Sequence, residues 1–134
     1  MKIHSGRRGI TLIELLVVIM IVSILASVAI PIYRGYTQRA RRADAKTALM
    51  QLRAAQEMRR AEYGSYSTSL PALQSSWGAS GAQVGDYGLA LTVATATTFT
   101  VRATPSTSRQ SSDGWLQIDH LGNRTSEYSD KWEK

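Results

Sequence analysis

One carboxylate stands where a carboxylate is costly. Glu14 is the only charged residue in the 21 residues from Ile10 to Ile30. In a hydrocarbon surround such a group costs on the order of a few kcal/mol, which marks Glu14 as a functional position. Immediately before the run comes Gly9, a small residue behind the basic Lys2, Arg7 and Arg8. Elsewhere the chain offers little reactive chemistry. It has no cysteine, which excludes thiolate metal sites, a thiol nucleophile and disulfides. His4 and His120 have no partners at ligand or triad spacing. Asp113, Asp119 and Asp130 lack the compact spacing of a calcium loop. These residues predict no enzyme, no cofactor and no metal.

The element that must carry Glu14 is a helix. Twenty-one predominantly apolar residues are enough to cross the bilayer core, and a backbone in lipid must satisfy its own hydrogen bonds. The basic residues ahead of it place the N-terminus in the cytoplasm and everything after Ile30 outside. A secretory signal has its apolar region before the cleavage site. Here the small residue comes first, so a cut after Gly9 would leave the apolar segment on the protein. Ser23, Ala26, Ser27 and Ala29 permit close helix contact. Pro31 removes a backbone donor and predicts a bend or local opening.

From Ile32 to Tyr63 the pattern is amphipathic. Ala45, Leu49, Leu52, Gln56 and Tyr63 share one face, with Ala48 and Ala55 beside them. Gly64 is the expected stop. The result is a single helix of about 50 residues, far longer than the globular norm. Residues 64–86 read as a Gly/Ser/Ala-rich loop with a helical turn near Ser69–Gln74, anchored by Tyr66, Leu70, Leu73 and Trp77. Alternation then predicts strands. Tyr87, Leu89, Leu91 and Val93 face inward in the first, Phe99 and Val101 in the second, and Leu116 and Ile118 in the third, with a short edge strand at Arg124–Ser126. The fold class is α+β, one long N-terminal helix packed against a small antiparallel sheet. The expected divisions are a leader (1–9), a membrane half of the helix (10–30), an amphipathic half (31–63) and a head (64–134).

The net charge of +6 is unevenly spread. Residues 31–63 hold eight basic and three acidic side chains, and residues 64–134 hold five and six. The arginine run at 34–42 reads as a solvated face and headgroup contact. The near-neutral C-terminal half argues against sequence-specific DNA binding.

Gly9-Ile10-Thr11-Leu12-Ile13-Glu14, behind a short basic leader, resembles the processing site of type IV prepilins and related pseudopilins. The resemblance implies that a prepilin peptidase cleaves between Gly9 and Ile10 and methylates the new amine of Ile10, although the family usually has Phe there. It implies that Glu14 meets the charged N-terminus of a neighbouring subunit in the fibre, in low dielectric. It also implies that Pro31 is the place where the packed helix unwinds. Residues 38–46, Ala94–Pro105 and Asp113–Asp119 resemble PilE-type minor pilins. Those carry two cysteines at the places of Asp113 and Lys131, so an Asp113–Lys131 ion pair is the expected stand-in for a disulfide. Swapping both residues for Cys is then expected to raise the melting temperature.

The family reading implies a minor pilin of a type IV pilus, used in twitching motility, adhesion and DNA uptake. Its partners would be the prepilin peptidase, other pilin subunits, the inner-membrane assembly machinery and, before assembly, lipid. It would pass from the inner membrane to the extracellular fibre. The alternatives are a type II secretion pseudopilin and a DNA-binding receptor pilin.

Overall fold

The computed structural model describes residues 9–73, 81–129 and 131–133. The element order is α1 (Leu12–Tyr63), β1 (Gln83–Val84), β2 (Tyr87–Ala94), β3 (Phe99–Pro105), β4 (Leu116–Asp119) and β5 (Arg124–Ser126), with 3-10 turns at Pro71–Leu73 and Ser111–Asp113. Two compact units divide at the middle of α1, Met1–Tyr36 and Thr37–Lys134.

In the first unit the chain enters α1 through a cap. The Thr11 hydroxyl accepts a hydrogen bond from the Glu14 amide at 3.2 Å, and the Thr11 carbonyl accepts one from the Leu15 amide. The cap sets the helix start at Leu12 and leaves Gly9 and Ile10 in irregular, exposed chain. Ser23 and Ser27 donate to the carbonyls of Ile19 and Ile24, both at 2.7 Å, which hides their hydroxyls against the helix backbone. This helix is long and apolar enough to cross a membrane by length and composition. Of the bend or local opening expected at Pro31, the opening is absent from the single chain, where helix continues through the proline. One missing donor is a small loss among the flanking intrahelical bonds.

In the second unit, the part of α1 from Thr37 to Tyr63 lies against an antiparallel sheet of order β1-β2-β3-β4-β5. Ala45, Leu49 and Leu52 from α1 join Tyr87, Phe99, Val101, Leu116 and Ile118 from the strands in one buried core. Two inward assignments from the sequence are corrected. Val93 is half-exposed, because the β2–β3 register shifts between Leu91 and Val93 and turns the last residues of β2 over. Tyr63 is also exposed. Gly64 (φ +73°) reverses the chain after it, and Tyr66, the expected anchor of the loop, enters the core edge-on to Phe99 at 4.7 Å. Strand β1 was unanticipated inside the expected loop, since two residues are too few for a period. Trp77 lies outside the described residues.

Candidate functional site

The chain presents two groups of functional side chains, one in each compact unit. In the first unit, the bond between Gly9 and Ile10 sits in non-helical, exposed chain just ahead of the cap. This is the kind of backbone a peptidase can hold extended. Glu14 lies in the first turn of α1, exposed, where a negative charge complements the helix dipole. Among the described residues no cation pairs with its carboxylate. Pro31 is exposed in mid-helix.

The second unit is built around Asp113. Its carboxylate is fully buried at the end of the 3-10 turn Ser111–Asp113. Arg42, itself buried on the inward face of α1, grips it with two nitrogens, Nε at 2.7 Å and Nη2 on the other oxygen. The Tyr87 hydroxyl donates to it, Gln110 Nε2 lies at 3.2 Å, and Lys131 Nζ approaches to 3.3 Å. Burial works against the carboxylate charge. The bonds from Arg42 and Tyr87 outweigh it and hold the Asp113 carboxyl below the usual carboxylate range. Burial pushes the Tyr87 hydroxyl well up, so it stays a neutral donor. The sequence pairing of Asp113 with Lys131 thus omitted the main partner. Arg42 stands seven residues before Leu49 on the same helical face, and a charge at an inward heptad position was the available signal. The same burial corrects the pair's expected energetics, since an exposed pair contributes about 0–1 kcal/mol and this carboxylate has no exposure.

Cations are the other feature of this unit. Arg39, Lys46, Arg53 and Arg60 recur every seven residues along one flank of α1, a rise of about 10 Å per step. Several are seated on neighbours. Lys46 Nζ donates to the Trp132 carbonyl at 2.8 Å. Burial, then the nearby Arg42, with Arg124 adding to it, holds Lys46 below its ordinary pKa. A Cβ on Gly122, at the β4–β5 turn, would fall 3.3 Å from the Arg53 guanidinium. Arg60 donates to the Tyr66 hydroxyl at 2.9 Å. Two further arginines lie over indoles, Arg102 on Trp115 at 4.4 Å and Arg124 on Trp132 at 5.6 Å. On the opposite flank Asp86 is clamped by Arg41 at 3.0 Å and Arg109 at 2.8 Å, which leaves that cluster one positive charge in excess. Bonds from Arg109 hold the Asp86 carboxyl below its ordinary range against the effect of burial. The separate counts for helix and head therefore mislead. The folded unit Thr37–Lys134 contains twelve basic and nine acidic residues, a net charge of +3.

Asp113 and Asp119 are both committed elsewhere than to a metal. Asp119 accepts the Leu121 and Asn123 amides and the Asn123 side chain, at 2.8–2.9 Å, and so organises the β4–β5 turn. Asp130 lies outside the described residues.

A capped apolar helix behind a Gly–Ile junction, continuing into a helix-on-sheet head, defines a pilin. A family model described as "Type IV minor pilin ComP, DNA uptake sequence receptor" matches residues 31–114, and one for the prokaryotic N-terminal methylation motif matches residues 4–30. The chain belongs to that minor pilin family.

Among curated proteins it is 43% identical over 66 residues to the type IV major pilin protein PilA of Myxococcus xanthus, covering 49% of this chain and 30% of that one. It is 56% identical over 42 residues to the type IV major pilin protein PilE of Neisseria gonorrhoeae, covering 31% and 25%. The prepilin peptidase-dependent protein D of Escherichia coli is 40% identical over 62 residues, covering 46% and 42%. The chain thus spans less than half the length of each of these relatives. A type IV pilin structure from Shewanella oneidensis superposes with a TM-score of 0.55 at 30% identity, covering 71% of this chain and 97% of that one. The minor pilin PilV of Neisseria meningitidis shares the fold at a TM-score of 0.57 and 15% identity, covering 71% and 91%.

Proposed function

We propose that this chain is made as a prepilin, cut between Gly9 and Ile10 by a prepilin peptidase and methylated on Ile10. It waits in the inner membrane as a single-pass protein with a cytoplasmic N-terminus, and then enters a type IV pilus as a minor, non-enzymatic subunit that engages DNA during uptake. The observation that carries this reading is the coincidence in one chain of the methylation-motif match over residues 4–30 and the minor-pilin match over 31–114.

The geometry supports both halves of the proposal. For assembly, Glu14 is a carboxylate with no cation beside it among the described residues, on an exposed apolar helix, and the freed amine of a neighbouring Ile10 is a matching cation. The outward side of α1 in the second unit bears Ala40, Ala43, Thr47, Met50, Ala54 and Met58, all exposed and uncharged. Small residues at helical spacing allow other pilin helices to approach closely. For DNA, the cations Arg39, Lys46, Arg53 and Arg60, with Arg124 beside them, form a track for a phosphate backbone.

Deleting the chain and counting surface pili and transformants separates the two halves. A minor subunit that receives DNA is expected to be scarce in fibres, and its loss should abolish DNA uptake. Unchanged uptake in the deletion strain removes the receptor half. Unchanged migration of a Gly9→Leu variant on a gel, showing that its leader is still removed, removes the proposed cleavage site.

A further inference from the structure

Two aromatic rings stand just beyond the apolar part of α1. Tyr33 and Tyr36 are 69% and 67% exposed and belong to the first compact unit. Three residues apart in a helix, they lie on one side of it. Ile32 beside them is exposed too. Between Glu14 and Tyr33, residues 15–32 carry no charge. The Ser23 and Ser27 hydroxyls in that stretch donate to helix carbonyls at 2.7 Å, which removes their need for water.

Because the helix runs on through Pro31, its residue count converts to distance. At a rise of about 1.5 Å per residue, Glu14 and Tyr33 are about 28 Å apart along the axis. The hydrocarbon core of a bilayer is about 30 Å thick, with an interfacial layer of roughly 5–7 Å on each side. Tyr36 lies about 4.5 Å beyond Tyr33, still within such a layer.

We propose that Tyr33 and Tyr36 anchor the helix in the headgroup layer of the outward leaflet and, with Glu14 at the other end, set its depth. This rests on the proposed single-pass state in the inner membrane. The partner is the bilayer interface itself. A tyrosine has an apolar ring and a polar tip, which suits that layer better than either hydrocarbon or water. With both rings there, Glu14 falls at the cytoplasmic boundary, on the side of the basic Lys2, Arg7 and Arg8. Its carboxylate then meets headgroups and water, and stays out of the hydrocarbon interior, where a charge is most costly. Burial of Glu14 is deferred until the subunit leaves the bilayer for the fibre.

The absence of cysteine lets a single spin label report depth. The full chain, carrying Leu16→Cys, Ile24→Cys or Ile30→Cys, is labelled with a nitroxide and reconstituted at low density in vesicles of phosphatidylethanolamine and phosphatidylglycerol. Accessibility to oxygen relative to a water-soluble nickel chelate reads the depth of each label. In the parent chain the Ile24 label should lie near the bilayer centre, with the Leu16 and Ile30 labels nearer opposite boundaries. Tyr33→Leu with Tyr36→Leu removes the polar tips and keeps apolar bulk. The helix should then sink toward the cytoplasmic side by up to one turn, about 5.4 Å. The Ile30 label moves deeper and the Leu16 label shallower. Tyr33→Trp with Tyr36→Trp should keep the parent depths. Tyr63→Leu, exposed at the other end of α1, should also leave them unchanged. Circular dichroism establishes that each variant is helical. Unchanged Leu16 and Ile30 depths in the leucine variant, with Ile24 still in hydrocarbon, overturn the anchor and leave the membrane reading standing. An Ile24 label open to the nickel chelate in the parent chain overturns both. A shift that the Trp variant or Tyr63→Leu reproduces overturns the anchor as well.

Discussion

At the scale of single residues, Asp113 carries most of the consequences. It is a buried anion satisfied by a buried guanidinium, a tyrosine hydroxyl, an amide and an ammonium. Asp113→Asn leaves Arg42 buried without its counter-charge, and removing one partner of a buried pair costs about 3–5 kcal/mol. Denaturant unfolding of the variant should show that loss, while Lys131→Ala, whose side chain is partly exposed, should cost about 1 kcal/mol or less.

The proposed substitution of a disulfide by this pair meets the same limit. Asp113→Cys with Lys131→Cys gains roughly 3 kcal/mol from closing a loop of this size but strands Arg42. The rise in melting temperature expected from the sequence should therefore appear only when Arg42→Met is added.

The acid response follows from the sign of the shift. The Asp113 carboxyl is depressed in the folded chain, so its contribution is present above the ordinary carboxylate pKa of about 3.9 and disappears as pH falls through the folded value. Melting temperature should stay level from neutrality down to about pH 5 and drop below about pH 4, with Asp113→Asn dropping less steeply.

Gly114 is the neighbouring constraint. Its φ is +74°, and a Cβ there would fall 2.8 Å from the Tyr128 ring. Gly114→Ala should destabilise by about 2 kcal/mol or more, from left-handed strain and the clash together.

At the scale of elements, α1 carries two different surfaces. In its first half every large apolar side chain is exposed, and the single acid is Glu14. Glu14→Ala should leave a processed subunit that enters fibres poorly, as measured by immunoblotting of sheared pili. Normal incorporation would rule out pairing with a neighbour's amine. In its second half the charges flank the sheet contact and the outward side is uncharged. Ala54→Glu places a carboxylate in that stripe without touching the core, so the head should melt normally while fibre incorporation falls. Thr47→Ala on the same face should be silent in both measurements, because it keeps the face small and uncharged.

At the scale of the whole molecule, the question is where the positive charge sits once the chain is folded. Helix cations and sheet cations belong to one compact unit, and the DNA-uptake reading depends on that. On duplex DNA, log affinity should fall linearly with log salt, with a slope of about 0.9 per phosphate neutralised. Arg53→Ala and Arg124→Ala should each lower that slope by about one phosphate contact without abolishing the fold. A slope unchanged in both variants would place DNA elsewhere on the head.

What the sequence determined by itself is what a one-dimensional pattern can carry. An apolar run with one acid, a glycine before it and basic residues ahead of that carried the helix of membrane-crossing length and the N-terminal methylation motif, and with them the expected orientation and cleavage. The period of 3.6 and then of 2 determined a helix followed by an antiparallel sheet. These are local signals, because hydrophobic spacing and steric preference act between residues close in the chain.

The tertiary structure alone decided what depends on contacts between distant residues. It chose Arg42 as the partner of Asp113 across 71 positions, moved Val93 outward through a register shift, and left Tyr63 exposed. It also gathered Lys46, Arg53 and Arg124 along one seam. A buried charge is tolerated only beside its counter-charge. No spacing rule reveals that partner until the chain has closed the loop between them.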